Sequence, residues 1–161
     1  MSAATAAAAA DGLRVHVTDM PDLTTRATIL KGLNAHDARF TGRTGSRPLA
    51  ALVQDRAGRT VGGLLGRTRG DWLVIELMHL PESLRGRGLG RAVLRAAEEE
   101  AAARGCVGCW LDTYAFQARG FYEREGYAAF GEIPDYVAGH TRVFLSKRPL
   151  RRAAAAGAGD A

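Results

Sequence analysis

The order of sequence periodicities along this chain predicts an α/β fold built on a sheet of mixed pairing. Three observations carry that prediction. Two hairpin signals follow one another between residues 49 and 80, a strand–helix–strand passage links residues 72 to 113, and two more strand-like runs close the folded region. Successive hairpins make an antiparallel meander, and a helix between strands makes a β-α-β unit.

Taken in order, "LRVHVTD" alternates apolar and polar residues and predicts a first strand. It ends at "MPD", a turn and helix-start signal. From Asp22 the apolar positions Leu23, Ala27, Leu30 and Leu33 recur at helical spacing. "TGRTGSRP", residues 41–48, has loop composition. The meander then comprises "LAALVQD", a turn at Gly58, "VGGLLGRTR", a turn at "GD" and "WLVIELMHL". A helix opening near Gly88 puts Leu89, Ala92, Val93, Ala96 and Ala97 on one face and ends at Gly105. "CVGCWLDT" is an apolar strand, and "AFQARGFYERE" a helix stopped by Gly126 in the C′ position. "YAAFGEI" and "TRVFLSK" are the last strands, with "PDYVAGH" as the connection.

The folded domain is expected over residues 12–150. The Ala-rich stretches 1–11 and 151–161 read as low-complexity, disordered tails. With 161 residues, 47% hydrophobic and 24% charged, the chain suits one soluble domain. No apolar run reaches the length of a membrane span, and the opening lacks the basic and apolar regions of a signal peptide. A cytoplasmic protein that does not engage membranes is the expectation. Net charge is +5. The excess favours anionic partners or is solvated surface. No DNA-binding motif and no basic stripe interleaved with aromatics accompanies it, so no nucleic-acid partner is expected. Cys106 and Cys109 lack a second ligand pair, which points to structural thiols and no metal.

The stretch "LRGRGLGRAVLRAAEEE", residues 84–100, carries the chemistry. Arg85, Arg87 and Arg91 crowd a helix start, where each cation costs roughly 0.3–1 kcal/mol against the helix dipole. The glycine spacing fits neither the dinucleotide fingerprint nor the P-loop. What remains is a strand, a glycine turn with outward N–H groups, and a helix N-terminus, an arrangement that binds phosphate. A bound polyanion makes ligands of the arginines.

Arg85-x-x-Gly88-x-Gly90 resembles the [Q/R]-x-x-G-x-[G/A] motif of the GCN5-related N-acetyltransferase (GNAT) superfamily, and "FYEREGY" is similar to its second signature. The resemblance extends over residues 12–150. It implies a GNAT-type α/β fold, with a six- or seven-stranded, mostly antiparallel sheet, helices on both faces and a splay at the central strands. It also implies acetyl-CoA as co-substrate. The pyrophosphate would lie on the main chain of Arg85, Gly86, Arg87, Gly88, Leu89 and Gly90, with Arg91 just inside the helix. The pantetheine arm would pair with the strand ending at Met78, His79 and Leu80.

By the same resemblance Tyr122 matches the family's general acid, and a phenol near pKa 10 is protonated at neutral pH. Glu76 and His79 are the candidate bases, on opposite faces of their strand unless a bulge intervenes. The backbone N–H of Leu80 is the candidate oxyanion donor. Ala115 stands where many relatives carry an asparagine that contacts pantetheine, and Gln117 or Thr113 are the substitutes. Asp112 and His140 are candidate substrate-side groups. Asp37, Glu132 and Asp135 could attract a cationic acceptor in a pocket built from residues 22–48 and "PDYVAGH".

The expected function is therefore acetyl transfer from acetyl-CoA to a primary amine, by direct attack in a ternary complex. A small-molecule acceptor is preferred over a protein, and homodimerisation is left open. The alternative is a non-catalytic acetyl-CoA-binding module of the same fold.

Overall fold

Asp22 starts the first long helix as its sequence predicts. In the computed structural model, which describes residues 5–8, 13–41 and 45–150, Asp22 Oδ1 accepts the N–H of Thr25 at 2.6 Å. This satisfies one of the donors left free at the helix start. Helix α1 spans Leu23–Thr41. It belongs to the first of two compact units, Met1–Thr44 and Gly45–Ala161. The first unit also holds strands β1 (Thr5–Ala8) and β2 (Arg14–His16), paired antiparallel. The expected first strand is thus shorter than predicted and pairs with β1 instead of joining the main sheet. A partner only a few residues away closes a short loop, which costs less chain entropy than pairing at long range. β1 lies inside the stretch expected to be a tail. The other tail residues, including 151–161, fall outside the described residues.

The second unit is a six-stranded sheet in the order β3-β4-β5-β6-β8-β7. Its strands are β3 (Ser46–Gln54), β4 (Thr60–Arg69), β5 (Trp72–His79), β6 (Gly108–Tyr114), β7 (Ala128–Val137) and β8 (His140–Lys147). All neighbours are antiparallel except β5 and β6, which flank the crossover helix α2 (Leu89–Ala103). The fold is mixed α/β, as expected. β3 starts at Ser46, inside the predicted 41–48 loop. Pro48 is tolerated there because β3 is an edge strand.

The core lies between α2 and the sheet. Leu64, Leu73, Leu94, Leu111, Val143, Leu145 and Cys109 are fully buried. The buried stripe of α2 is Val93, Leu94, Ala97, Glu98, Ala101 and Ala102. The predicted face was rotated from this one, since Ala92 and Ala96 are exposed. The large side chains Val93 and Leu94 orient the helix, whereas alanine gains little from either side. Glu98 enters the stripe because it is neutralised there. Its carboxylate accepts the Tyr127 hydroxyl at 2.8 Å and meets Lys147 Nζ at 2.7 Å.

Helix α3 (Arg119–Arg124) is shorter than predicted. Gln117 Oε1 accepts both the Thr113 hydroxyl (3.0 Å) and the Tyr114 N–H (3.2 Å), which holds the preceding residues as a turn. Its end is as expected. Gly126 has φ 90°, its N–H bonds the Glu123 carbonyl, and the Tyr127 N–H bonds that of Tyr122, a Schellman motif. The predicted "PDYVAGH" connection is instead mostly strand. β7 runs to Val137 through an irregular register, and Ala138-Gly139, with φ 46° and 77°, forms the two-residue turn to β8. Positive φ at both positions matches the type I′ geometry that joins twisted strands.

Among the described residues, no helix is long and apolar enough to cross a membrane. Cys106 and Cys109 are both buried, as the sequence led one to expect of structural thiols. Burial pushes the Cys109 thiol up to about 12 from 9.0, and the Tyr122 phenol to about 12 from 10.0. Both groups fold in their neutral forms, so their stabilisation is complete below the unfolded values and lost as pH rises through the folded ones. Unfolding free energy from urea titrations is expected to fall steadily between pH 9 and 12. Cys109→Ala should flatten the part of that fall that begins at pH 9.

Candidate functional site

The site is organised by an interruption in β5. In the β4–β5 ladder Leu65 pairs with Leu77 and Gly66 with Ile75, so Glu76 is an extra residue. This is a β-bulge, and it shifts the alternation of side chains by one. Before it Leu73 and Ile75 face the core, and after it Met78 packs against the core while Leu77 is exposed. Glu76 and His79, expected on opposite faces of an unbroken strand, therefore share the alternation of one face. Gly66 permits the bulge, since a Cβ there would run into the Val74 carbonyl.

At the same level the sheet opens. The parallel pairing of β5 with β6 ends at Ile75↔Leu111, although β5 continues to His79 and β6 to Tyr114. The splay implied for the central strands is this gap. Tyr122 reaches toward it from α3: its hydroxyl donates to Met78 Sδ at 3.5 Å, on the stretch of β5 that pairs with β4 but not with β6. Its ring packs edge-on against Phe121 and Tyr127.

After β5 the chain makes a 3-10 turn (Glu82–Leu84), and the Arg85 N–H donates to the Glu82 carbonyl at 3.0 Å. Arg85 Nε closes the turn by donating to the Leu80 carbonyl at 3.1 Å. Gly86 and Gly88 follow with φ 72° and 77°, and a Cβ at either would meet open space. The first helical bond of α2 runs from the Ala92 N–H to the Gly88 carbonyl. Among the described residues, no acceptor engages the N–H groups of Gly86, Arg87, Gly88, Leu89, Gly90 or Arg91. Such a run of free donors at a helix start is a cradle for phosphate oxygens. The Arg85 N–H, expected to join that set, is occupied.

The arginines divide their roles. Arg87 carries no ion pair among the described residues, whereas Arg91 Nε bonds Glu125 Oε1 at 2.7 Å. Glu125 was not legible as a site residue. Its only sequence signal is an acidic residue at a helix C-terminus, where the dipole disfavours it. Gln117 and Thr113 are bonded to each other, so the Gln117 carbonyl oxygen already serves the turn. Leu80 places its side chain beside Gly62 and Gly90.

Glu76 pairs with Arg67 of the neighbouring strand. It lies on the side of the sheet that bears Trp72 and Val74, opposite to Leu73 and Ile75. There a concavity of about 870 Å³ is lined by Arg67, Arg69, Trp72, Trp110, Phe130 and Phe144, among others. Asp112 bonds Arg142 at 2.7 Å, Arg142 covers the Tyr136 ring at 4.7 Å, and His140 meets Phe116 edge-on at 4.6 Å. Glu132 is held by Arg119 at 2.9 Å. Asp135 sits in the β7 irregularity with φ 50°. Asp37 lies on α1 in the other unit.

Gly88→Ala forces an L-residue into the left-handed region, so urea denaturation should show a loss of about 1–2 kcal/mol. Gly88→Asn should lose less, because asparagine tolerates that conformation.

The Acetyltransferase (GNAT) family profile matches residues 17–127. The chain is 33% identical over 132 residues to the acetyltransferase Atu2258 of Agrobacterium fabrum, covering 82% of this chain and 96% of that one. It is 39% identical over 106 residues to the blasticidin-S acetyltransferase of Streptomyces morookaense, covering 63% and 78% respectively. A crystal structure from Agrobacterium tumefaciens superposes with TM-score 0.78 at 32% identity, covering 84% of this chain and 99% of that one. With the fold, the phosphate-type cradle and the opened sheet in agreement, the chain belongs to the GNAT family of acetyltransferases.

Proposed function

We propose that the protein transfers the acetyl group of acetyl-CoA to a primary amine of a small molecule, by direct attack in a ternary complex. The observation that carries this reading is the run of free N–H groups from Gly86 to Arg91, beside a sheet that opens where Tyr122 delivers its hydroxyl. The cradle suits a pyrophosphate in number and kind of donors. The edge of β5 left unpaired by β6 offers Met78, His79 and Leu80 main-chain groups to an amide-bearing arm, with the Gln117 amide NH2 as a further donor to it. Arg85 and Arg87 add positive charge near the cradle. Acetyl-CoA, when bound, supplies an activated acetyl thioester.

The acceptor amine attacks as the free base. Its lone pair forms the C–N bond while the C–S bond breaks and its electron pair passes to sulfur. Tyr122 gives its proton to that sulfur, and solvent at neutral pH restores it. The proton released by the amine goes to Glu76 or His79, directly or through water, and the Leu80 N–H donates to the carbonyl oxygen. Direct attack is favoured over a cysteine-bound acyl group because Cys106 and Cys109 are buried. Cys109, held near 12, is no thiolate at neutral pH. A small acceptor is supported by the aromatic-lined concavity on the Glu76 side, and by the relative named for blasticidin S.

Tyr122→Phe should lower kcat by about 10²–10⁴-fold while calorimetry finds acetyl-CoA affinity within twofold of wild type. Binding without transfer by the wild type to any amine of a broad panel would mean a non-catalytic module. Acetylation of peptides alone would overturn the small-molecule acceptor.

The raised phenol value keeps Tyr122 protonated through the working range. The kcat–pH profile is therefore expected to show no descending limb at pH 10. A limb at that pH would contradict Tyr122 as a buried acid.

A further inference from the structure

We propose that the Arg91–Glu125 ion pair is a strut that positions Tyr122, so that Glu125 is a positioning residue for transfer and Arg91 serves α3 more than it serves phosphate. This rests on Tyr122 being the acid. Each partner stands at the end of its helix that the dipole disfavours, Arg91 in the first turn of α2 and Glu125 at the C-cap of α3. Joined at 2.7 Å, they neutralise each other. The Glu125 side chain is only 8% exposed, whereas that of Arg91 is 57% exposed. A carboxylate so enclosed needs a counter-charge, and among the described residues Arg91 supplies it.

The pair is placed to act on Tyr122. The Glu125 N–H bonds the carbonyls of Phe121 and Tyr122, so the carboxylate is fixed to the turn that carries the phenol. One residue before Arg91, Gly90 lies against the ring of Phe121, where even a Cβ would come within 3.4 Å. Two consecutive residues of the α2 start therefore hold the residues on either side of Tyr122, one by charge and one by close packing. Displacement of α3 would move the Tyr122 hydroxyl away from Met78, 3.5 Å distant, and from the opening beyond Ile75. Tyr127, behind Tyr122, is itself anchored by Glu98 on α2. The start of α2 thus both presents the cradle and braces α3, which carries the acid.

The test is a double-mutant cycle with Glu125→Ala, Arg91→Ala and their combination. It is read as kcat, calorimetric Kd for acetyl-CoA, and the Tyr122 Oη–Met78 Sδ distance in crystals. Glu125→Gln is carried as the variant that keeps the side chain's shape. Glu125→Ala is expected to lower kcat about tenfold with Kd within twofold, and the double variant to be no slower than the slower single one. The crystal distance should lengthen or lose a single value. If kcat and the distance are unchanged in Glu125→Ala and Glu125→Gln, the strut is refuted, whatever happens to stability. Additive effects, with only Arg91→Ala weakening acetyl-CoA, would refute it in favour of a direct phosphate contact. If the wild type transfers no acetyl group, the proposed function fails, and the distance alone still decides the strut.

Discussion

Pairing between β5 and β6 stops at Ile75↔Leu111, and the rest of the site depends on that stop. Two parallel strands that kept their ladder to the end would leave neither a free backbone edge nor space between them. The bulge at Glu76 follows the stop by one residue on the same strand, and it turns Met78 inward to meet Tyr122. Gly66 is the counterpart across the ladder, because a side chain there would close the approach the bulge requires. An irregularity of one residue thus sets which carboxylate faces which side, and where the phenol points.

The crossover helix α2 connects this opening to the rest of the fold. Its start presents N–H groups that no carbonyl among the described residues engages, while its middle is fixed to the sheet by Glu98. Glu98, Tyr127 and Lys147 make a closed polar group, in which the carboxylate accepts from both partners and the Lys147 ammonium also lies 5.5 Å from the Tyr127 ring. Burying a carboxylate is costly unless it is paired and hydrogen-bonded in this way. Burial holds the Tyr127 phenol above its ordinary range, so it remains a donor to Glu98.

What was legible in the sequence is what local chemistry decides. Glycines at 86 and 88 before an amphipathic run announce a turn and a helix start, and "FYEREG" with Gly126 announces a helix and its stop. These signals need no partner from elsewhere. The bulge could be allowed for but not placed, because register is set across strands, by Gly66 against Ile75. The continuous apolar run at 72–75 gives no alternation whose break would mark it. The pairing of "LRVHVTD" and the strand through "PDYVAGH" were missed for the same reason. Glu125 and Glu98 were missed because a charged residue on a helix reads as solvated surface unless the cation that neutralises it, distant in sequence, is known.

In the proposed complex the free edge of β5 and the free N–H groups of the α2 start receive one ligand together. Amide hydrogen exchange with and without acetyl-CoA tests it most directly, because both sets of donors are observed in one experiment. Amides within residues 76–80 and 86–91 are both expected to slow by about an order of magnitude or more on binding, with the outer strands β3 and β7 unchanged. Acetyl-CoA that binds while leaving either segment exchanging at its free rate would contradict it.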